Sequence, residues 1–422
     1  MIPRHLWYLR TMLRKVWVRV VGFAVLAFFS VGLSQLVSPI MPEGLGVQLG
    51  AQAVGQILGV LASSMLAVTT FSLSIAVSAF AAAAGSATPR ATALLQQDRT
   101  TQNVLATFLG AFLFSLVGLI ALNADLYDRA GQFVLLLVSI AVVALVIVAL
   151  IRWIGHLMSF GRMGNTLDRV EAAAAASLKA RQGTPYLGGT RDTGEGRKKG
   201  VSVRAKATGY VQHVDMRALQ NAAEDCGGQV YIRRLPGSFV SVGAVVVDVL
   251  EGEPDEGQVA AMRSAFALGK ERLFDEDPRF GLIVLAEIAS RALSPAVNDP
   301  GTAISVIGRL VRVLAEWRDE RDADVVFPDL YVPPVTRQEV VIDAFRPIAR
   351  DGAALIEVQI RLQKALASLC LASPDLFREA AVDMAGYALA QAEKAGLSEA
   401  ELEELRILAP GHGSSGDASD KS

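Results

Sequence analysis

From Ala51 to Gly85 the chain carries no charged residue, and that single run limits what the whole molecule can fold into. At about 1.5 Å of rise per residue, a helix over this run is roughly 50 Å long, well beyond the ~30 Å hydrocarbon core of a bilayer. A steeply tilted span, or one that continues past the membrane, is expected. Along it Gln52, Gln56, Gly59, Ser63, Ala67, Thr70, Ser74, Ser78, Ala81 and Gly85 follow one another at steps of four or three. That spacing lines one helix face with small, hydroxyl or amide side chains. Two uses fit such a face. Small residues let helices approach closely, within one chain or between copies. Alternatively, Gln52, Gln56, Ser63, Thr70, Ser74 and Ser78 could line a wet pathway, because hydroxyls and amides tolerate water without the cost of buried charge.

Three further uncharged runs are long enough to span: Val20–Val37, Thr100–Ala124 and Ala130–Ile151. Arg4, Arg10, Arg14, Lys15 and Arg19 precede the first, the arrangement of a signal peptide. Ser38-Pro39 follows it, however, instead of a small-x-small cleavage site, so an uncleaved first helix is expected. The connection from Ser38 to Gly50 has no Lys or Arg, and the one near Asn123 to Arg129 sets a single Arg against Asp125 and Asp128. Basic residues concentrate at the N-terminus, in the second connection (Arg90, Arg99) and after the fourth run (Arg152, Arg162, Arg169). The positive-inside rule then predicts both termini in the cytoplasm. Trp7, Trp17, Tyr127 and Trp153 fall near the predicted boundaries, as interfacial aromatics do.

The chain is 52% hydrophobic, but nearly all of its long apolar runs lie before Ile151. This asymmetry predicts a membrane half followed by a soluble half. Residues 1–180 form a four-helix transmembrane domain with an exit helix, and 181–200 a Gly-rich linker whose Arg197, Lys198 and Lys199 are either a solvated cluster or a contact to anionic headgroups. Residues 201–254 turn to period-two, β-branched patterning and read as a small β-rich module. The Pro236-Gly237 turn and the strands around it resemble the barrel-sandwich of biotinyl and lipoyl carriers, although no lysine sits at a hairpin tip. Residues 255–408 read as helical, with Asp277-Pro278 and Asp299-Pro300 as helix starts, a loop at 322–336 on account of its prolines, and a break near Arg346-Pro347. Residues 409–422 read as a disordered tail. The fold class is thus an α-helical membrane protein with four transmembrane helices and a cytoplasmic α+β half containing a small β module and a helical bundle.

Several function classes lack their signatures. There is no GxxxxGK[ST], GxSxG, HExxH or CxxC motif. Net charge is −2, without a basic aromatic patch, which argues against nucleic acid. Cys226 and Cys370 show no paired spacing, and His5, His156, His213 and His412 are scattered, reading as interfacial or surface histidines. No catalytic residue, metal ligand or cofactor is therefore assigned. Two polar groups remain as candidates. Arg90, Asp98 and Arg99 sit where the second and third spans turn around, either as an ion-pair gate or headgroup contact at the cytoplasmic mouth, or as an ordinary juxtamembrane anchor in which Asp98 caps the third span. Ser294, Asn298, Asp299 and Thr302 either cap two successive helices or form a small oxygen-rich pocket for a cation or polar ligand.

The run Arg291-Ala292-Leu293-Ser294-Pro295-Ala296-Val297-Asn298-Asp299-Pro300-Gly301-Thr302-Ala303, with Asp277-Pro278-Arg279-Phe280-Gly281-Leu282 upstream, resembles the domain of unknown function 2254 family of predicted bacterial membrane proteins. The connection from Ser86 to Asn103, with Pro89-Arg90 and Asp98-Arg99-Thr100-Thr101-Gln102-Asn103, resembles the same family. The likeness runs from the first span to about residue 408. It implies a four-span membrane half and a cytoplasmic C-terminal half, and it implies no activity. No charge lies within any predicted span, so an ion-coupled pump lacks its usual working parts, whereas a passive pore needs none. The leading expectation is a homo-oligomeric, channel-like, multi-pass protein of the bacterial cytoplasmic membrane, partnered by the lipid bilayer and its own copies. The alternative is a non-conducting sensor or scaffold that binds partners through its cytoplasmic half. A membrane enzyme acting on lipid has the least support.

Overall fold

The computed structural model describes residues 18, 20–23, 25, 26, 29, 51–96, 98–127, 129–158, 162–194, 200–318 and 324–411. Most of the Val20–Val37 run, the Arg197-Lys198-Lys199 cluster, His5, His412, nearly all of the 409–422 tail and the Arg99 side chain lie outside the described residues. The chain divides into two compact units, Met1–Gly85 with Thr92–Asn165, and Ser86–Ala91 with Thr166–Ser422.

The first unit is helical. The described positions between 18 and 29 are helical, followed by α1 (Ala51–Ser86), α2 (Pro89–Gln96, whose residues up to Ala91 belong to the second unit), α3 (Arg99–Asn123) and α4 (Arg129–Leu157). Three of these, over Gln52–Ala82, Thr100–Asn123 and Gly131–Leu157, are long and apolar enough to cross a membrane. Half of the α3 window is buried, against 22% for α1, so among the described spans α3 is the most enclosed and α1 the least. Small residues on α3 make this possible. A Cβ added at Gly118 would come within 3.3 Å of Leu58 on α1 and 3.6 Å of Leu135 on α4, the close approach that glycine permits between membrane helices. Val54, Leu58, Phe108, Phe114, Leu135 and Trp153 fill the core between them.

The second unit begins on α5 (Met163–Gly183), whose Leu167, Val170, Ala174 and Leu178 recur at helical spacing and are buried. A left-handed turn follows, with Tyr186 at φ 53° and Leu187 at φ 56°. The strands are β1 (Gly189–Arg191), β2 (Val201–Arg204), β3 (Gly209–Val214), β4 (Gln229–Ile232), β5 (Phe239–Val240), β6 (Val245–Leu250), β7 (Phe266–Gly269) and β8 (Phe327–Val332), with α6 (Met216–Cys226) and α7 (Glu256–Ser264) between them. One sheet has the order β1-β8-β4-β6-β2 and the other β5-β3-β7. β8 lies parallel to both its neighbours, and the remaining pairs are antiparallel. A mixed five-stranded sheet with parallel β4 and β8 is not the barrel-sandwich that the Pro-Gly turn suggests.

The expectation of a purely helical chain after residue 255 needs correction, because β7 and β8 both lie there. β8 even contains Pro328, in the stretch read as a loop. The strand tolerates it because the β1–β8 register shifts between the Gly189–Phe327 and Thr190–Tyr331 pairs, and β4 pairs with β8 only at Leu330 and Tyr331. Pro328 therefore occupies an irregularity where no ladder N–H is required.

The helical part comprises α8 (Phe280–Ala292), α9 (Pro300–Ala315), α10 (Arg337–Asp351), α11 (Ile356–Ala372), α12 (Pro374–Lys394) and α13 (Glu399–Leu408). Trp317, Phe345 and Phe377 are fully buried there. α10 runs unbroken through Pro347, and the chain breaks after Asp351 rather than at Arg346-Pro347.

Candidate functional site

On α1 the buried positions are Val54, Leu58, Leu61, Met65, Ser72 and Ala76. At 3.6 residues per turn they fall on the side of the helix opposite the small-residue stripe. Gln52, Gln56, Ser63, Thr70, Ser74 and Ser78 are all exposed and Gly59 is half-exposed. A Cβ at Gly59 or Gly85 would meet nothing within 4 Å. The stripe thus faces away from its own chain's described helices. Two of its hydroxyls bond back to their own helix, Ser63 Oγ to the Gly59 carbonyl at 3.0 Å and Thr70 Oγ1 to the Leu66 carbonyl at 2.8 Å.

The predicted mouth separates into two different contacts. Asp98 caps α3, accepting from the Thr101 N–H at 2.9 Å and from the Thr101 hydroxyl at 2.6 Å. The same carboxylate pairs with His156 Nε2 on α4 at 2.8 Å, where the His156 and Asp98 side chains are only 10% and 6% exposed. His156 also lies 3.3 Å from the Thr101 hydroxyl and against the Trp153 ring. It is therefore a largely enclosed tie between α3 and α4, which departs from the surface alternative of the sequence reading and leaves the interfacial one standing. The signal was available, since the positive-inside reading sets Asp98 and His156 at the same membrane face.

Arg90 belongs to the second unit and pairs there with Glu287 of α8. Its segment is well seated, with Ala87 and Ala91 fully buried and the Ala91 N–H donating to Thr88 Oγ1 at 3.3 Å. Burial pushes the Glu287 carboxyl above the usual range, while the charges of Arg90 and Arg272 pull it back. Arg272 also reaches Asp277, at 2.6 Å from Nη2 and 2.8 Å from Nε. Asp277 is buried, and that burial raises its carboxyl despite Arg272 and the Arg279 and Phe280 N–H groups that it accepts. A Cβ at Gly237 would lie 2.1 Å from Asp277, and Gly237 itself sits at φ 93°, so glycine is required at that turn on two counts. Arg90, Arg272, Asp277 and Glu287 form a polar cluster that the sequence reading did not assemble. Its one visible sign was a lone acid, Glu287, within the apolar α8 sequence FGLIVLAEIASRA.

The polar turn is a helix junction. Ser294 Oγ donates to the Arg291 carbonyl at 2.7 Å, Asn298 takes φ 49°, and the Asp299 N–H donates to the Ala292 carbonyl at 2.8 Å. Both Asp299 oxygens are engaged by Thr302, one by its N–H at 3.0 Å and the other by its hydroxyl at 2.6 Å. The Thr302 hydroxyl and N–H hold the Asp299 carboxyl below its ordinary range. Ser294, Asn298, Asp299 and Thr302 thus close one helix and open the next on an exposed surface. Among the described residues no group of three His, Cys, Asp or Glu side chains is placed to hold a metal.

The chain is similar to uncharacterized proteins from Mycobacterium bovis and from two strains of Mycobacterium tuberculosis, each 28% identical over 233 residues, which is 51% of this chain and 43% of the relative. The match therefore spans less than half the length of these relatives. No solved structure matches the chain. The family described as "Predicted membrane protein (DUF2254)" matches residues 13–368, and these carry α1, α3 and α4 as well as the Arg90, Asp277 and Glu287 cluster. The chain belongs to this family of predicted membrane proteins.

Proposed function

We propose that this protein is a homo-oligomeric, channel-like protein of the bacterial cytoplasmic membrane, with four spans and both termini in the cytoplasm. In this reading α1 lines an axis between copies, and the second unit serves as a vestibule or regulatory domain. It assigns no catalysis, cofactor or metal, and its partners are the bilayer and other copies of the chain. The observation that carries it is the outward direction of the α1 stripe. Exposed apolar residues such as Val60 and Phe71 suit lipid, whereas the Gln52 and Gln56 amides at the start of the same helix call for a hydrogen-bond partner. A neighbouring copy with water along the axis supplies one.

The non-conducting scaffold is the second reading. It is favoured by the hydroxyls of Ser63 and Thr70, which satisfy themselves on their own backbone and so need no water. Ion flux through the purified chain in liposomes separates the two readings, with Thr70→Leu and Ser74→Leu as controls. The channel reading expects flux that the leucines block while the assembly stays intact. Flux indistinguishable from that of empty liposomes, across salts, membrane tension and pH, rejects it.

A further inference from the structure

The two sheets of the second unit share one apolar core, but they do not close around it. Among the described residues β2 pairs only with β6 and β7 only with β3, so each ends its sheet as an edge strand. Beside these edges lies a cavity of about 210 Å³. Ala205, Val246, Phe266 and Leu268 line it, and the first three are buried members of the core itself. Its polar lining comes from the exposed Lys206 and the half-exposed Arg263, and none of the lining residues is acidic.

Lys206 starts from fixed backbone, and the Arg263 side chain is tied in place. Ala205 is bonded in both directions, its N–H to the Ala244 carbonyl and its carbonyl to the Gly243 N–H, each at 2.9 Å. This fixes the start of the Lys206 side chain. Arg263 Nε donates to the Arg204 carbonyl at 2.8 Å, which sets the guanidinium beside the cavity. An apolar floor with one positioned guanidinium, a lysine on fixed backbone and no acidic lining residue is complementary to one kind of ligand. The volume is below the about 300–1,000 Å³ of pockets that take drug-sized molecules, so that ligand is small.

We propose that this cavity binds a small amphiphilic carboxylate, with its tail of a few carbons against Val246, Phe266 and Leu268 and its head on Arg263 and Lys206. Tail burial removes apolar surface from water, and the guanidinium offers a carboxylate its paired N–H donors. The proposal stands independently of the channel reading.

The test uses the full chain in nanodiscs of zwitterionic lipid, titrated with hexanoate, hexan-1-ol or inorganic phosphate and followed by saturation-transfer NMR. Hexanoate should give saturable transfer, with the alcohol and phosphate each at least about tenfold weaker. Lys206→Glu, a change on an exposed side chain, should weaken hexanoate by about tenfold, and Leu268→Trp should block it by filling the cavity. Hexanol binding as well as hexanoate would overturn the proposal by reducing the cavity to a greasy surface. Phosphate binding equally well would overturn it by reducing the cavity to an anion contact. Hexanoate binding unchanged by Lys206→Glu, or not saturable at all, would also overturn it.

Discussion

An alanine at position 281 would put its Cβ 2.4 Å from the Ala174 Cβ, 2.6 Å from the Ala174 Cα and 3.1 Å from the Ala174 nitrogen. Two of those three atoms are backbone, so no side-chain rotation relieves the contact, and either α5 or α8 must shift. Inserting a methyl into a packed core costs about 1–3 kcal/mol, and a backbone obstacle argues for the upper end. Gly281 is the second residue of α8, so alanine recovers at most the about 0.8–1.0 kcal/mol that it gains over glycine in a helix interior. The net expectation is a loss of about 2 kcal/mol. For a unit of this size, each kcal/mol moves the melting temperature by about 2–4 °C, so Gly281→Ala should melt about 4–8 °C lower. Trp317, fully buried in the same unit, reports the transition by fluorescence once Trp7, Trp17 and Trp153 are replaced by phenylalanine. Parent and variant are compared at one scan rate, because unfolding of such a protein is a rate as well as an equilibrium. Ala174→Gly in the Gly281→Ala background removes the nearest atom and should restore part of the loss. A single variant that melts at or above the parent would refute the close α5–α8 contact.

Asp98→Ala should destabilise the first unit by about 0.5–2 kcal/mol through loss of the cap, and Asp98→Asn by less, in thermal melts of the purified chain; equal losses would deny the cap its role. Glu171 is pushed up by burial, but hydrogen bonds and charge from Arg312 and Arg309 outweigh this and bring its carboxyl below the ordinary value of 4.5. Its contribution is therefore present at neutral pH and lost as pH falls through the lowered value, so the deficit of Glu171→Gln, on the order of 1 kcal/mol at pH 7, should shrink on acidification. Asp277 has the opposite sign. Burial raises its carboxyl above the ordinary 3.8, so stability drawn from the neutral acid fades as pH rises through the raised value, and melting of Asp277→Asn relative to the parent should improve from pH 4 to pH 7. A relative melting temperature that falls with pH would contradict that assignment.

Much of the secondary structure was legible because its causes are local. Asp299 caps α9 and proline opens it, as the Asp-Pro pair predicts. α6 starts on Asp215 and ends at Gly227 in the left-handed conformation. The charge-free runs give three apolar helices directly. What was not legible depends on partners far away in the chain. β8 is a strand because β1 and β4 flank it, and no property of residues 327–332 alone could outvote their proline. The stretch read as a flexible linker is held at one end for the same reason, since Gly189–Arg191 pairs with that strand.

The candidate sites divide along the same line. The capping reading of Ser294 to Thr302 needed only near neighbours, and the hydrogen bonds there follow it. Arg90, grouped in sequence with Asp98, finds its partner 197 positions away, and Asp98 finds His156 at the far end of another helix. On α1 the spacing of the stripe was legible, but its direction was not, because helical periodicity fixes which residues share a face and not what that face meets. Direction comes from burial. Leu58 and Met65 are taken up by the described neighbours, and this turns the face from Gln52 to Ser78 away from those helices. Packing against the described helices therefore leaves the stripe uncovered, and the proposed assembly offers two covers for it, a dry seam between copies or a wet axis among them.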